Sequence, residues 1–194
     1  MKQLLILLVV LNFWSCIPEK NKKVESVKAF YDINGLIDEQ IKLLDSVSPS
    51  ILKKAIIDGE EAVTELKHLD SAGWSKELIV FKSADINRSI LSDSYTISES
   101  SNTEIQILTY HSKYKEKTQV EELSIHLNKE NHKPLTIHAV LDNSNELFKS
   151  AKTLELHFKE INDLPLITRY KISGWQKMIS KDSTSYLIVS ELIY

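Results

Sequence analysis

Three tetrapeptides in the second half of the chain share the pattern Leu-x-(Ile or Leu)-His, at residues 123–126, 135–138 and 154–157. In an extended strand the two aliphatic side chains point to one face and the histidine to the other. If the three strands are neighbours, the imidazoles of His126, His138 and His157 line one surface. Imidazole is a common ligand of zinc, which accepts three histidines at catalytic sites. These residues are therefore candidate zinc ligands of a metal-dependent enzyme.

A simpler interpretation of the same histidines is that they face solvent. A half-buried sheet alternates apolar and polar residues, so histidine on the wet face needs no chemical role. The chain has no HExxH pair, no GxSxG elbow, no P-loop and no GxGxxG. The carboxylate pairs at residues 60–61 and 121–122 point to opposite strand faces or lie beside a turn. The sequence thus favours a protein without catalytic activity or cofactor, although a serine hydrolase assembled from distant residues stays open.

The N-terminus contains the only cysteine, Cys16, just beyond an apolar run. Lys2 supplies a positive charge, and residues 4–11 are all apolar, the arrangement of a secretory signal peptide. Eight helical residues rise only about 12 Å, whereas a bilayer core is about 30 Å thick. We therefore expect secretion and no transmembrane helix.

The pair Ser15-Cys16 resembles the end of the lipobox of Gram-negative bacterial lipoproteins, although Phe13 and Trp14 are bulkier than the residues usual there. The resemblance covers about a tenth of the chain, and it implies a location but no activity. It implies removal of residues 1–15, attachment of acyl chains such as palmitate to Cys16, and anchoring to the membrane. Because no Asp follows the cysteine, it also implies the outer membrane, with the domain facing the periplasm or the cell surface.

The remaining chain has the size and composition of one globular domain. Residues 16–23 are polar after Pro18 and predict a short tether, and residues 24–194 predict a single domain. Without a second cysteine this domain has no disulfide, so its fold depends on its core. The net charge is −3 and no long basic run follows the signal, which argues against nucleic acid as a partner.

Two helices and one hairpin are predicted in the N-terminal half. Residues 24–46 have apolar positions spaced by three and four, which predicts an amphipathic helix. Asp58-Gly59 predicts a two-residue hairpin turn between two short strands. A second helix should begin at Asp70 or Ser71 and end near Ser83. The serine-rich residues 92–102 are typical of a loop around a short extended piece.

From Thr103 onward the apolar period changes to two, which predicts strands in direct succession. The expected segments are residues 103–110, 120–128, 134–141, 153–158, 165–172, 175–179 and 185–193. Short links between them predict an antiparallel meander. The predicted fold class is α+β: a curved antiparallel sheet of about seven to nine strands, packed against two amphipathic helices from the N-terminal half.

Three functions are compatible with this sequence. The favoured one is a membrane-anchored, non-catalytic binding or assembly module that meets an envelope protein. The second is a carrier of a lipid or other apolar ligand, because a curved sheet with helices over it is similar to lipoprotein-localisation factors and other lipid-binding half-barrels. Residues 165–172 and 185–193, apolar on both faces, suit such a cavity. The third is the zinc enzyme. A large cavity between helices and sheet favours the carrier, and a packed core favours the module.

Overall fold

The computed structural model describes residues 30–194. It contains one nine-stranded antiparallel sheet and two α-helices, so the predicted α+β class with a large antiparallel sheet is confirmed. The signal peptide, Cys16 and the tether lie outside the described residues. Within residues 30–194, no helix combines the length and apolarity that a membrane span requires.

The elements follow one another with short connections. The N-terminal half contains α1 (Ile33–Val47), β1 (Ser50–Ile57), β2 (Glu60–Leu66), α2 (Ser71–Leu78) and 3-10 helices at Ile79–Ala84 and Ser89–Leu91. The C-terminal half contains β3 (Tyr95–Ser101), β4 (Ile105–Ser112), β5 (Val120–Asn128), β6 (Pro134–Ser144), β7 (Phe148–Ile161), β8 (Leu164–Met178) and β9 (Thr184–Ile193).

The sheet has the strand order β2-β1-β9-β8-β7-β6-β5-β4-β3. Strands β3 to β9 form the predicted meander, and the β1–β2 hairpin joins it by pairing β1 with the last strand, Ser50 opposite Ile193. At the hairpin turn, Asp58 and Gly59 both have positive φ, 49° and 90°, as a two-residue turn of this hand requires. The predicted hairpin is confirmed.

Side-chain caps set where both helices begin. The Asp32 carboxylate accepts a hydrogen bond from the Gly35 N–H (2.9 Å), so α1 begins at Ile33, later than predicted. Residues 24–29 of that prediction lie outside the described part. The Asp70 carboxylate caps α2 in the same way through the Gly73 N–H (2.8 Å), at the predicted start. After Leu78 the chain continues as a 3-10 helix to Ala84.

Residues 92–102 were predicted as a loop around a short extended piece; the extended piece is the strand β3, Tyr95–Ser101, and it takes up most of the predicted loop. Only Tyr95 is buried, and the other six residues are exposed on both faces. A strand at the edge of a sheet, exposed on both sides, shows no alternation of apolar and polar residues. Pairing with β4, rather than its own residue pattern, therefore makes this segment a strand.

The two strands predicted at residues 165–172 and 175–179 are one strand, β8. The sequence predicts a break near Gly174, but this residue is paired on both sides, with Lys152 and Tyr186. A β-carbon there would lie 2.3 Å from the carbonyl oxygen of Ala151 and 2.8 Å from the Tyr186 hydroxyl. Glycine is thus required because a neighbouring backbone and an aromatic side chain approach it closely.

One face of the sheet carries most of the core, and we call it the inner face. Cross-strand pairing aligns Leu123, Ala139, Leu154 and Ile172 in one row on this face, continued by Ile188 on β9. The side chains between helices and sheet are closely packed; for example, the rings of Phe81 and Tyr170 meet edge to face at 5.5 Å. We call the opposite side the outer face.

Candidate functional site

The structure places the three predicted histidines on the outer face of adjacent strands. His126 lies on β5, His138 on β6 and His157 on β7. Thr136 on β6 is the cross-strand partner of both His126 and His157. Within residues 30–194, no group of three or more His, Cys, Asp or Glu side chains is positioned to hold a metal ion. The zinc site stays a prediction, and metal analysis of the purified protein would test it.

Charges around these histidines form a cross-strand network. The Glu155 carboxylate lies 3.0 Å from the Lys171 ammonium nitrogen and 3.7 Å from Nε2 of His157. Burial raises the pKa of Glu155, but the hydrogen bond and charge of Lys171, with smaller contributions from His138 and His157, lower it on balance. Pairs of this kind near solvent contribute at most about 1 kcal/mol each. The geometry agrees with histidines on a wet face.

A buried amide joins α1 to β8. Gln40 is fully buried, its Nε2 donates to the Pro165 carbonyl (2.7 Å), and its Oε1 accepts from the Ile167 N–H (3.0 Å). Strand β9 pairs with β8 only from Arg169 onward, so this stretch of β8 has no neighbouring strand on that side. The side chain of Gln40 supplies one donor and one acceptor, as a paired strand would.

A second polar cluster joins α2 to the sheet. One carboxylate oxygen of Glu77 pairs with the Lys53 ammonium and accepts a hydrogen bond from the Tyr170 hydroxyl. Burial, then the hydrogen bond and charge of Glu77, raise the pKa of Tyr170 far above its ordinary value. The hydroxyl therefore stays protonated and donates. The cluster holds the helix in place, and sequence analysis missed it because its members are far apart in the chain.

The inner face is covered at one end of the sheet and uncovered at the other. Along β8, Tyr170 is fully buried, Ile172 is half-buried and Gln176 is exposed. Along β1 the exposed fraction rises from 0% at Ile51 to 50% at Ile57. We call the uncovered region the open face; it consists of Ala55, Lys152, Ile172, Tyr186 and Ile188. Each of these five side chains is half-buried, and four of them are largely apolar.

Lys152 is the one cation among the residues that define the open face. It lies between Leu141 on β6 and Gly174 on β8, and burial lowers its pKa. Within the described part of the chain its ammonium has no ion pair or hydrogen bond. A half-buried cation without a partner favours binding of an anionic group that would pair with it.

Two surface grooves lie away from the open face. One, of about 480 Å³, is lined mainly by polar residues of the β4–β5 loop and the end of β6. The other, of about 500 Å³, lies on the outer face beside His157 on β7 and Arg169 on β8. Neither has the apolar character of the open face. Part of the open face lies on residues 165–172 and 185–193, whose apolar side chains on both sides had suggested strands that line a cavity.

In comparisons with known proteins, no protein-family model matches the chain, and no curated protein or solved structure is significantly similar to it.

Proposed function

We propose that the chain is a lipid-anchored cell-envelope protein whose domain is a non-catalytic binding module. In this proposal Cys16 carries the acyl chains, residues 16–23 form the tether, and the protein belongs to the outer membrane. The sheet is curved, two amphipathic helices cover part of its concave side, and the open face binds an envelope partner.

The unequal cover of the inner face is the observation that carries this proposal. At one end, Tyr170 and Ser190 have no exposed surface beneath the helices. At the other end, Ile172, Tyr186 and Ile188 remain partly exposed on the same face of the same strands. Apolar surface left open next to a tightly packed core is typical of a contact site.

A lipid anchor makes a modest contact surface sufficient. When two binding partners share a membrane or a tether, their effective concentration rises to roughly millimolar for short flexible linkers. A partner held in the same membrane therefore needs only a weak affinity for the open face. The open face has only a few apolar side chains and one cation, and a weak affinity is what such a small surface can provide.

The carrier of a lipid or other apolar ligand is the second candidate, and Lys152 is the observation in its favour. An amphiphile could lay its chain along Ile172 and Ile188 and place its anionic group on the Lys152 ammonium. Against it, the described space between helices and sheet is filled by side chains such as Trp74 and Phe81. The packed core favours the binding module.

Photocrosslinking from neighbouring positions of β9 tests the proposal. Ile188 lies on the open face, and the next residue, Val189, lies on the outer face with a similar half-buried side chain. A photoreactive amino acid at position 188 of the full-length protein in its native cells should give a discrete adduct, whereas position 189 should give none. The mass of the adduct separates a protein partner from a lipid.

Equal adducts from both positions, or none from position 188, would contradict binding at the open face. An adduct with a lipid in place of a protein would favour the carrier.

A further inference from the structure

A cluster of apolar side chains, three exposed and one half-buried, lies where the β6–β7 turn meets the β8–β9 turn. We call it the apolar tip, and it consists of Leu147, Phe148, Met178 and Ile179. The exposed fractions of Leu147, Met178 and Ile179 are 67%, 51% and 64%. The Ile179 N–H donates to the Leu147 carbonyl (2.9 Å), which fixes the two turns side by side, and a shallow groove of about 210 Å³ lies between them.

The β6–β7 turn holds this apolar surface in one conformation. The Asn145 side-chain oxygen accepts from the N–H groups of Leu147 (2.9 Å) and Phe148 (2.8 Å). The Asn145 N–H in turn donates to the Phe148 carbonyl (2.7 Å). Isolated apolar residues on a surface need no explanation, but a contiguous, ordered cluster at the end of a hairpin marks a contact site.

The charges around the apolar tip favour a membrane surface as its partner. Lys149, Lys177 and Lys181 flank it and outnumber the two acidic residues, Glu146 and Asp182. Among residues 30–194 none of these three lysines forms an ion pair. Apolar side chains ringed by lysine are typical of protein surfaces that enter the interface of phospholipid bilayers, where the ammonium groups meet phosphates.

The described chain begins at the same end of the sheet. The Phe30 ring meets Tyr95 and Tyr110 edge to face at 5.8 and 5.6 Å, and Tyr95 begins β3 at the end of the sheet where β6 and β8 terminate. From Cys16 to Phe30 the chain can extend at most about 50 Å. A bilayer that holds Cys16 is therefore within reach of the apolar tip.

We propose that the apolar tip docks on the surface of the bilayer that carries the lipid anchor. The proposal rests on the proposed function, because the anchor supplies the membrane at high local concentration. Leu147 and Ile179 enter the headgroup region, the lysines contact phosphates, and Trp175, which is 39% exposed on the neighbouring stretch of β8, lies near the interface. Docking fixes the orientation of the domain and keeps the open face at a defined height above the membrane.

Fluorescence of Trp175 in the mature lipoprotein tests the docking. Removal of residues 1–15 leaves only Trp74, which is fully buried, and Trp175. The protein is reconstituted in vesicles of phosphatidylethanolamine and phosphatidylglycerol that include a lipid with a nitroxide on its headgroup, which quenches tryptophan at close range. The emission of Trp175 should be quenched strongly. A Trp175→Phe variant isolates the contribution of Trp74.

The variant Leu147→Asp/Ile179→Asp should lose most of this quenching while it still floats with the vesicles through its anchor. The matched control is Val63→Asp/Ile97→Asp, which places the same two charges at residues 58% and 56% exposed on the edge strands β2 and β3 and should leave the quenching unchanged. A vesicle-bound wild-type protein without quenching overturns the docking, as does quenching that survives the double variant.

Three outcomes distinguish a failure of the docking from a failure of the anchor. If the double variant converts a dimer to a monomer without vesicles, the apolar tip is an interface between copies and the docking is overturned. If the purified chain carries no acyl mass and does not float, the proposed anchoring fails and the docking fails with it. A floating protein whose Trp175 is not quenched leaves the anchor intact and overturns the docking alone.

Discussion

Replacing Gln40 by leucine should lower the free energy of unfolding by about 3 kcal/mol, because one buried and one half-buried backbone group lose their partners. Leucine is close to glutamine in volume, so the core stays filled. The Pro165 carbonyl and the Ile167 N–H, however, lose the hydrogen bonds that Gln40 provides at 2.7 and 3.0 Å. Neither gains another partner from β9, which pairs with β8 only from Arg169 onward.

Urea denaturation followed by circular dichroism measures this loss. The midpoint should fall while the slope stays unchanged, which indicates a change of stability and not of the denatured state. The control is Glu39→Leu, the preceding residue of α1, which is exposed. It should shift the free energy of unfolding by no more than about 0.5 kcal/mol. A Gln40→Leu protein as stable as the control would show that the amide does not support β8.

Replacing Glu77 by leucine should cost a similar amount, about 3 kcal/mol, because it removes one partner of a largely buried ion pair. The side chains of Lys53 and Glu77 are only 26% and 14% exposed. Without the carboxylate, the Lys53 ammonium keeps its charge in a poorly solvated position. The Tyr170 hydroxyl also loses its acceptor beneath α2.

A triple variant separates the lost ion pair from lost packing. In Lys53→Met/Glu77→Leu/Tyr170→Phe, no charge or hydroxyl of the cluster remains unpaired, and apolar groups of similar volume fill the site. Its stability, measured by the same urea titration, should recover most of the loss, since apolar replacements of buried ion pairs are often neutral or stabilising. If the triple variant is no more stable than Glu77→Leu, the loss comes from packing and not from an unpaired charge.

Local signals in the sequence were sufficient to predict the class of fold. Asp58-Gly59 identified its hairpin because a two-residue turn of this type requires positive φ at both positions. The cap at Asp70 and the alternation along β5, β6 and β7 likewise depend on neighbouring residues only. Those elements appear in the structure close to their predicted positions.

Features that depend on pairing over long distances could not be predicted in this way. Gln40 and Ile167 are 127 residues apart in the chain, and no local pattern relates them. Strand β3 has few apolar residues, so only its partner β4 identifies it. Gly174 predicts a break in a strand when only its neighbours in the sequence are considered. In the structure it is paired with Tyr186 on β9 and continues the strand.

Only part of the candidate site could be predicted from the sequence. The histidine pattern correctly indicated which side of β5, β6 and β7 faces away from the core, but it could not give the separation of the imidazoles. The apolar residues on both faces of β8 and β9 suggested strands that line a cavity for an apolar ligand, and in the structure several of them are partly exposed. Whether such residues are buried or exposed depends on how far the helices extend over the sheet. The sequence of a single strand does not determine this.

The proposed anchor at Cys16 is the claim on which the account depends, and the N-terminal mass of the protein from native membranes tests it most directly. We expect a chain that begins at Cys16 and carries acyl groups, together with loss of both the acyl mass and membrane partitioning in the Cys16→Ser variant. A protein that retains Met1, carries no acyl mass and still partitions with membranes after Cys16→Ser would contradict the account.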